Sequence, residues 1–106
     1  MHSFEEFYKK LKENNSIKIV EGKKDKKALE SLEINKVFPL NGKPLHEIIE
    51  KFQDEKEIIL LTDLDYEGKK LYSSLSKQFE KEKVKINNKF RKFLFENKIT
   101  NIESLK

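Results

Sequence analysis

A chain of 106 residues with no cysteine and no low-complexity stretch fits one compact domain. It excludes a disulfide framework and any thiolate zinc or iron–sulfur site, which suits the reducing cytoplasm. Charged residues make up 40% of it and the net charge is +4, while the longest apolar run, Ile58 to Leu61, is far short of the ~20 residues that cross a bilayer. With a charged N-terminus and no export signal, a soluble cytoplasmic protein is expected.

Along the chain, Phe4, Phe7, Tyr8 and Leu11 recur at helical spacing, so Ser3 to Asn14 reads as an amphipathic helix. Ser16 to Val20 is a short β-rich run closed by Gly22. Lys24 to Leu32 places Ala28, Leu29 and Leu32 on one helical face. Val37 to Leu40 is a second strand, ended by the turn pair Asn41-Gly42. Pro44, Leu45, Ile48, Ile49 and Phe52 form the next helix, with Pro44 acceptable in its first turn. Ile58 to Leu61 is the most apolar strand. Tyr66 to Glu82 is a helix turning Leu71, Tyr72, Leu75 and Phe79 inward, Val84 to Ile86 is a fourth strand, and a last helix begins near Asn88 and runs to Glu96, within a C-terminal helical segment over 88–105.

Strands separated by helices of this length imply an α/β fold with a mostly parallel four-stranded sheet, because a parallel return needs a crossover. The three glycines, Gly22, Gly42 and Gly68, each follow a predicted strand, and in open parallel sheets the working groups collect at these carboxyl ends. Glu21 closes the first strand. Asp63 and Asp65 lie two apart beyond the third, able to project to one side if the chain stays extended, and Glu67 follows two residues on. If the two strands are neighbours, about 4.8 Å apart, these carboxylates converge. Two like charges ~5 Å apart repel by about 3 kcal/mol at an effective dielectric of ~20, so either a cation joins them or some are protonated. Oxygen-only ligands point to Mg2+ or Mn2+. The plainer alternative makes Asp65 the cap of the following helix and Glu67 a first-turn acid, which leaves Glu21 and Asp63 unexplained.

Positive charge is concentrated between Lys69 and Lys92, where nine Lys or Arg face two Glu. Such a stretch is either a solvated helix face or the footprint of a phosphate-bearing partner. Lys23, Lys24, Lys43, Lys69 and Lys70 fall in or just after the glycine turns, where phosphates would approach. In Phe90-Arg91-Lys92-Phe93-Leu94-Phe95, aromatics and cations mix in a way that could stack bases. Phe90, Phe93 and Leu94 nevertheless share a helical face that suits the core, and Phe95 fits it least. His2 and His46, without a second imidazole at ligand spacing, read as surface residues.

The stretch Ile19-Val20-Glu21-Gly22-Lys23-Lys24-Asp25-Lys26-Lys27-Ala28-Leu29, followed by Leu61-Thr62-Asp63-Leu64-Asp65-Tyr66-Glu67-Gly68, resembles the two signature motifs of the toprim domain. That metal-binding domain is shared by bacterial primases, type IA and type II topoisomerases, several nucleases and the maturation nuclease of 5S ribosomal RNA, and small stand-alone members exist. The resemblance covers about Ser16 to Ile86 and implies a Rossmann-like fold over a single 1–106 domain. It implies that Asp63 and Asp65 coordinate Mg2+, that Glu21 acts as general acid or base and reaches the metal, and that Glu67 is the additional acid of the topoisomerase-like version. Two positions depart from the pattern: Leu64 stands where proline is frequent, and Tyr66 where arginine is. Topoisomerases cleave with a tyrosine of another domain, so Tyr66 reads as packing beside the metal loop. A primase, too, works through further domains. The resemblance therefore implies either a metal-dependent phosphodiesterase, RNA favoured over DNA, or a non-catalytic module that binds nucleic acid or a protein of a nucleoprotein assembly.

Overall fold

The computed structural model describes residues 1–105. Strands and helices alternate: α1 (Phe4–Glu13), β1 (Ile17–Val20), α2 (Lys23–Ser31), β2 (Val37–Pro39), α3 (Leu45–Phe52), β3 (Glu57–Leu60), α4 (Tyr66–Lys81), β4 (Lys85–Asn87) and α5 (Lys89–Glu96), then a short 3-10 helix, Ile102–Ser104. Every limit from α1 to α5 falls within one residue of the expected one. The reason is local: caps and turns sit where the pattern changes period. Ser3 Oγ accepts from the Glu6 amide at 3.1 Å and starts α1, and Asn41 and Gly42, with φ of 50° and 72°, turn the chain after β2.

All four strands pair in parallel, in the order β2-β1-β3-β4. Alternation along the strands separates two apolar layers. Val20, Val37, Ile59 and Leu61 meet Phe7 and Leu11 of α1, Leu29 of α2, and Phe90, Phe93 and Leu94 of α5. On the other face, Ile19, Ile58 and Leu60 meet Ile48, Ile49 and Phe52 of α3 and Leu75 and Phe79 of α4. The sheet is thus covered on both faces, as an all-parallel sheet must be.

The connection from β1 through α2 leads outward to β2, whereas β3 and α4 lead the opposite way to β4. The direction of winding reverses between the adjacent strands β1 and β3. Their carboxyl ends form the topological switch point, the crevice where open α/β sheets bind ligands. Glu21 and Asp63 stand there.

Candidate metal centre

Parallel pairing sets Ile19 beside Leu60, so the two strands deliver their next residues to the same place. Glu21 Oε2 accepts a hydrogen bond from the Asp63 amide at 2.6 Å, joining the ends of β1 and β3. One carboxylate oxygen from each of Glu21, Asp63 and Asp65 lies within 4.8 Å of the others. Glu21 and Asp63 are half-buried and Asp65 is exposed.

The electrostatics follow from that crowding. Burial, with the neighbouring charges of Glu21, Asp25, Asp65 and Glu103, pushes the Asp63 carboxyl up to about 7. Burial also raises Glu21, against the pull of the Asp63 amide and with a further push from Asp65. Asp63 Oδ1 is buried with no hydrogen-bond partner, an arrangement that a proton, a water or an ion would satisfy. An oxygen-only donor set of this kind fits a hard divalent cation.

Asp65 does two things. Its Oδ1 accepts from the Gly68 amide at 2.8 Å, capping α4, while the residue also joins the carboxylate group. Because the helix begins at Tyr66, the extended alternation stops there, and Glu67 is carried round the first turn to an exposed position outside the converging three. Gly68 is likewise the third residue of α4 rather than a turn residue. It is buried against the loop: a Cβ there would land on the Asp63 carbonyl and 2.8 Å from Glu21 Oε2. Gly22, by contrast, is the N-cap of α2 and Gly42 lies in open space.

Tyr66 is 72% exposed rather than packed beside the loop, and its ring carries the Lys70 ammonium at 5.0 Å. Lys23, Lys24, Lys43 and Lys69 are exposed, with Lys43 held over the Phe38 ring at 5.1 Å. His2 and His46 are exposed, as expected.

Three supporting residues escape a reading by motif. Arg91 donates from Nε to the Thr62 carbonyl at 3.0 Å and from Nη2 to the Asp63 carbonyl at 2.9 Å, with its guanidinium 4.4 Å from the centre of the Tyr72 ring. Thr62 Oγ1 donates to the Gly68 carbonyl at 3.0 Å and ties the loop to α4. Asp25, 6% exposed, accepts from the Gly22 amide at 3.0 Å, and its spacing from Gly22 is a legible capping signal. The Leu64 amide donates to the Thr100 carbonyl at 2.8 Å, a bond no proline could make.

A family profile of the toprim domain matches residues 16–97. The chain belongs to the toprim domain family. Toprim domains bind divalent metals, and the family works on nucleic acid. This toprim chain is 38% identical over 93 residues to a UPF0292 protein of Methanocaldococcus jannaschii, an alignment that covers 82% of this chain and 73% of that one. It is 33% identical over 92 residues to a UPF0292 protein of Pyrococcus abyssi, covering 86% and 70%. A solved structure of an Aquifex aeolicus protein superposes with a TM-score of 0.93 at 30% identity, over 99% of this chain and 100% of that one. No helix among the described residues is long and apolar enough to cross a membrane.

Proposed function

We propose that the protein is a Mg2+- or Mn2+-dependent phosphodiesterase of nucleic acid, RNA in the first instance. The observation that carries the reading is the half-buried Asp63, its Oδ1 without a hydrogen-bond partner, inside a group of three converging carboxylates. Asp63 and Asp65 would hold the ion. When bound, such a cation polarises a phosphate oxygen and lowers the pKa of a bound water. Glu21 would move the proton: burial raises its carboxyl above the ordinary value, the direction that favours proton transfer at neutral pH. The Asp63 amide fixes Oε2 of Glu21 and leaves Oε1 for that exchange. Arg91 holds two carbonyls of the aspartate loop and so keeps the ligands in place. Lys69, which lines one cleft with Leu64, would meet a phosphate near the loop, with Lys23, Lys24, Lys43 and Lys70 as outer contacts.

The alternative is a module that binds nucleic acid through the same site without cutting it. In its favour, one oxygen of Asp65 is already occupied by the helix cap. Cleavage and binding assays on structured RNA, single-stranded DNA and duplex DNA, with Mg2+ or Mn2+ and with chelator, separate the two. Glu21→Gln should lower cleavage ~100-fold or more while affinity stays within about threefold. Asp65→Asn should weaken both cleavage and metal-dependent binding. No cleavage by the parent, with equal loss of binding in both variants, would leave the module.

A further inference from the structure

We propose that the cleft between α4 and α5 is a base-binding subsite, which takes an unpaired nucleobase of a single-stranded segment whose phosphate lies at the carboxylate loop. The proposal rests on the phosphodiester reading of that loop and adds the substrate class: nucleic acid that is single-stranded beside the reacting phosphate.

The cleft has a volume of about 450 Å³, within the ~300–1,000 Å³ of small-ligand sites. Leu64, the residue between the two aspartates, forms part of its wall, so the cleft and the carboxylates share a loop. Its charge is of one sign. Lys69, Arg91 and Lys92 line it and no carboxylate does, which favours a phosphate-bearing chain. The larger cleft between α1 and α5 has a volume of about 660 Å³ but mixes Lys10, Lys89 and Lys92 with Glu13 and Glu96, and offers no such preference.

Aromatic surface completes the site. Helix α5 buries Phe90, Phe93 and Leu94 in the core, whereas Phe95 lines the cleft at 62% exposure. One exposed aromatic is unremarkable; one at the mouth of a basic cleft beside a phosphate site is a stacking platform. Tyr72 also lines the cleft, but Arg91 already covers its ring. Phe95 has no ring partner among the described residues and is the free face. A base inside a duplex is stacked on both faces by its neighbours, so its face meets the ring only once it leaves that stack, as the unstacked bases of a single strand do.

Fluorescence anisotropy with labelled ten-nucleotide strands tests this: single-stranded RNA, single-stranded DNA, the same strands carrying abasic sites, and duplexes, each in Mg2+ and in chelator. Phe95→Ala should weaken base-bearing single strands by ~5- to 100-fold. Abasic strands and duplexes should change by less than about twofold, because phosphate contacts are untouched. Phe95→Trp should restore affinity, and calorimetric titration should show unaltered Mg2+ binding by Phe95→Ala. The RNA and DNA arms tell which sugar the strand carries. Equal loss on abasic strands, no loss on any strand, or no binding by the parent would overturn the subsite. So would a change in self-association alone, which would mark Phe95 as a protein contact. A base preference that persists in chelator, in a protein that binds no metal, would retire the proposed reaction while supporting the cleft.

Discussion

The two ends of the parallel sheet hold ionisable groups of the same kinds and treat them oppositely. At the amino ends, Lys18 is 1% exposed, and its ammonium donates to the carbonyls of Asn14, Ser16 and Asn35 at 2.7, 3.1 and 3.1 Å. Burial pulls this lysine down to about 8, so it remains charged at neutral pH with all three donors engaged. Nearby, Glu57 accepts from Ser16 Oγ at 3.0 Å and Asn14 Nδ2 at 3.4 Å, with Lys85 4.0 Å away. Burial alone would raise its carboxyl; hydrogen bonds from Ser16, Asn87 and Asn14 outweigh that and hold it below its ordinary value. At the carboxyl ends the same burial raises Glu21 in spite of the Asp63 amide and Arg91, and raises Asp63, whose neighbouring charges push the same way and which no hydrogen bond offsets. A polar group whose partners are all inside the fold is structural; one left wanting is placed for something from outside.

The sharpest way to break this contrast is to fill the space behind the loop. Gly68→Ala drives a methyl into the Asp63 carbonyl and Glu21, so α4 and the loop must part. The expected loss is about 3 kcal/mol, a melt lower by ~12 °C or more, together with loss of Mg2+ binding. Gly22→Ala, whose methyl would meet Asp25 Oδ2 at an ordinary 3.8 Å, should cost no more than ~1 kcal/mol. Thermal melts with and without Mg2+ decide, and equal melts for the two variants would end the argument for a close approach at Gly68.

Next in size is a pair of substitutions, one at each end. Lys18→Met leaves the carbonyls of Asn14, Ser16 and Asn35 without their donor, at a cost of about 1–3 kcal/mol, and should not alter Mg2+ affinity. Asp63→Asn should do the reverse, with apo stability equal or higher because a repelling charge is gone, and Mg2+ binding largely lost in calorimetric titration. A destabilised apo Asp63→Asn protein would mean that this end, too, is built for structure.

Much of this was legible before the fold was known, and the misses have two causes, one local and one of long range. Element limits followed from local period and punctuation, such as Asn41-Gly42 and the apolar Ile58 to Leu61, which need no knowledge of distant residues. Glu21, Asp63 and Asp65 were legible because strand ends in a parallel sheet converge. The plainer alternative, Asp65 as cap and Glu67 as first-turn acid, is what α4 shows; grouping Glu67 with the other three carried the spacing of an extended chain past a helix start already expected at Tyr66, beyond which each residue rotates the next side chain by about 100°. Tyr66 was expected against the loop, but its position on that same first turn faces water. Arg91 gave no local signal at all: its partners, Thr62 and Asp63, lie 29 and 28 residues away. Its being the sole arginine was the available clue, since a guanidinium fork suits two adjacent carbonyls better than an ammonium does.

The last effect is the most diagnostic, because the two ends should respond to pH with opposite sign. The folded protein holds the Asp63 carboxyl at about 7, well above its ordinary 3.8. Between those values the folded chain keeps a proton that the unfolded chain has released. Stability from this group is therefore fully present below ~4 and is lost as pH rises toward 7. Glu57 is lowered instead, so its contribution is present above the ordinary 4.5 and is lost as pH falls through its folded value. Denaturation midpoints of the metal-free protein, measured from pH 3 to 8 in chelator, should fall toward both extremes. Asp63→Asn should flatten the decline above pH 5 and leave the acid limb; Glu57→Gln should flatten the acid limb and leave the other. Adding Mg2+ should lift the midpoints most at pH 7 to 8, where the cation need not displace the proton on Asp63. Midpoints that rise steadily from pH 4 to 7 without metal would place an internal partner on Asp63 and remove the difference between the two ends.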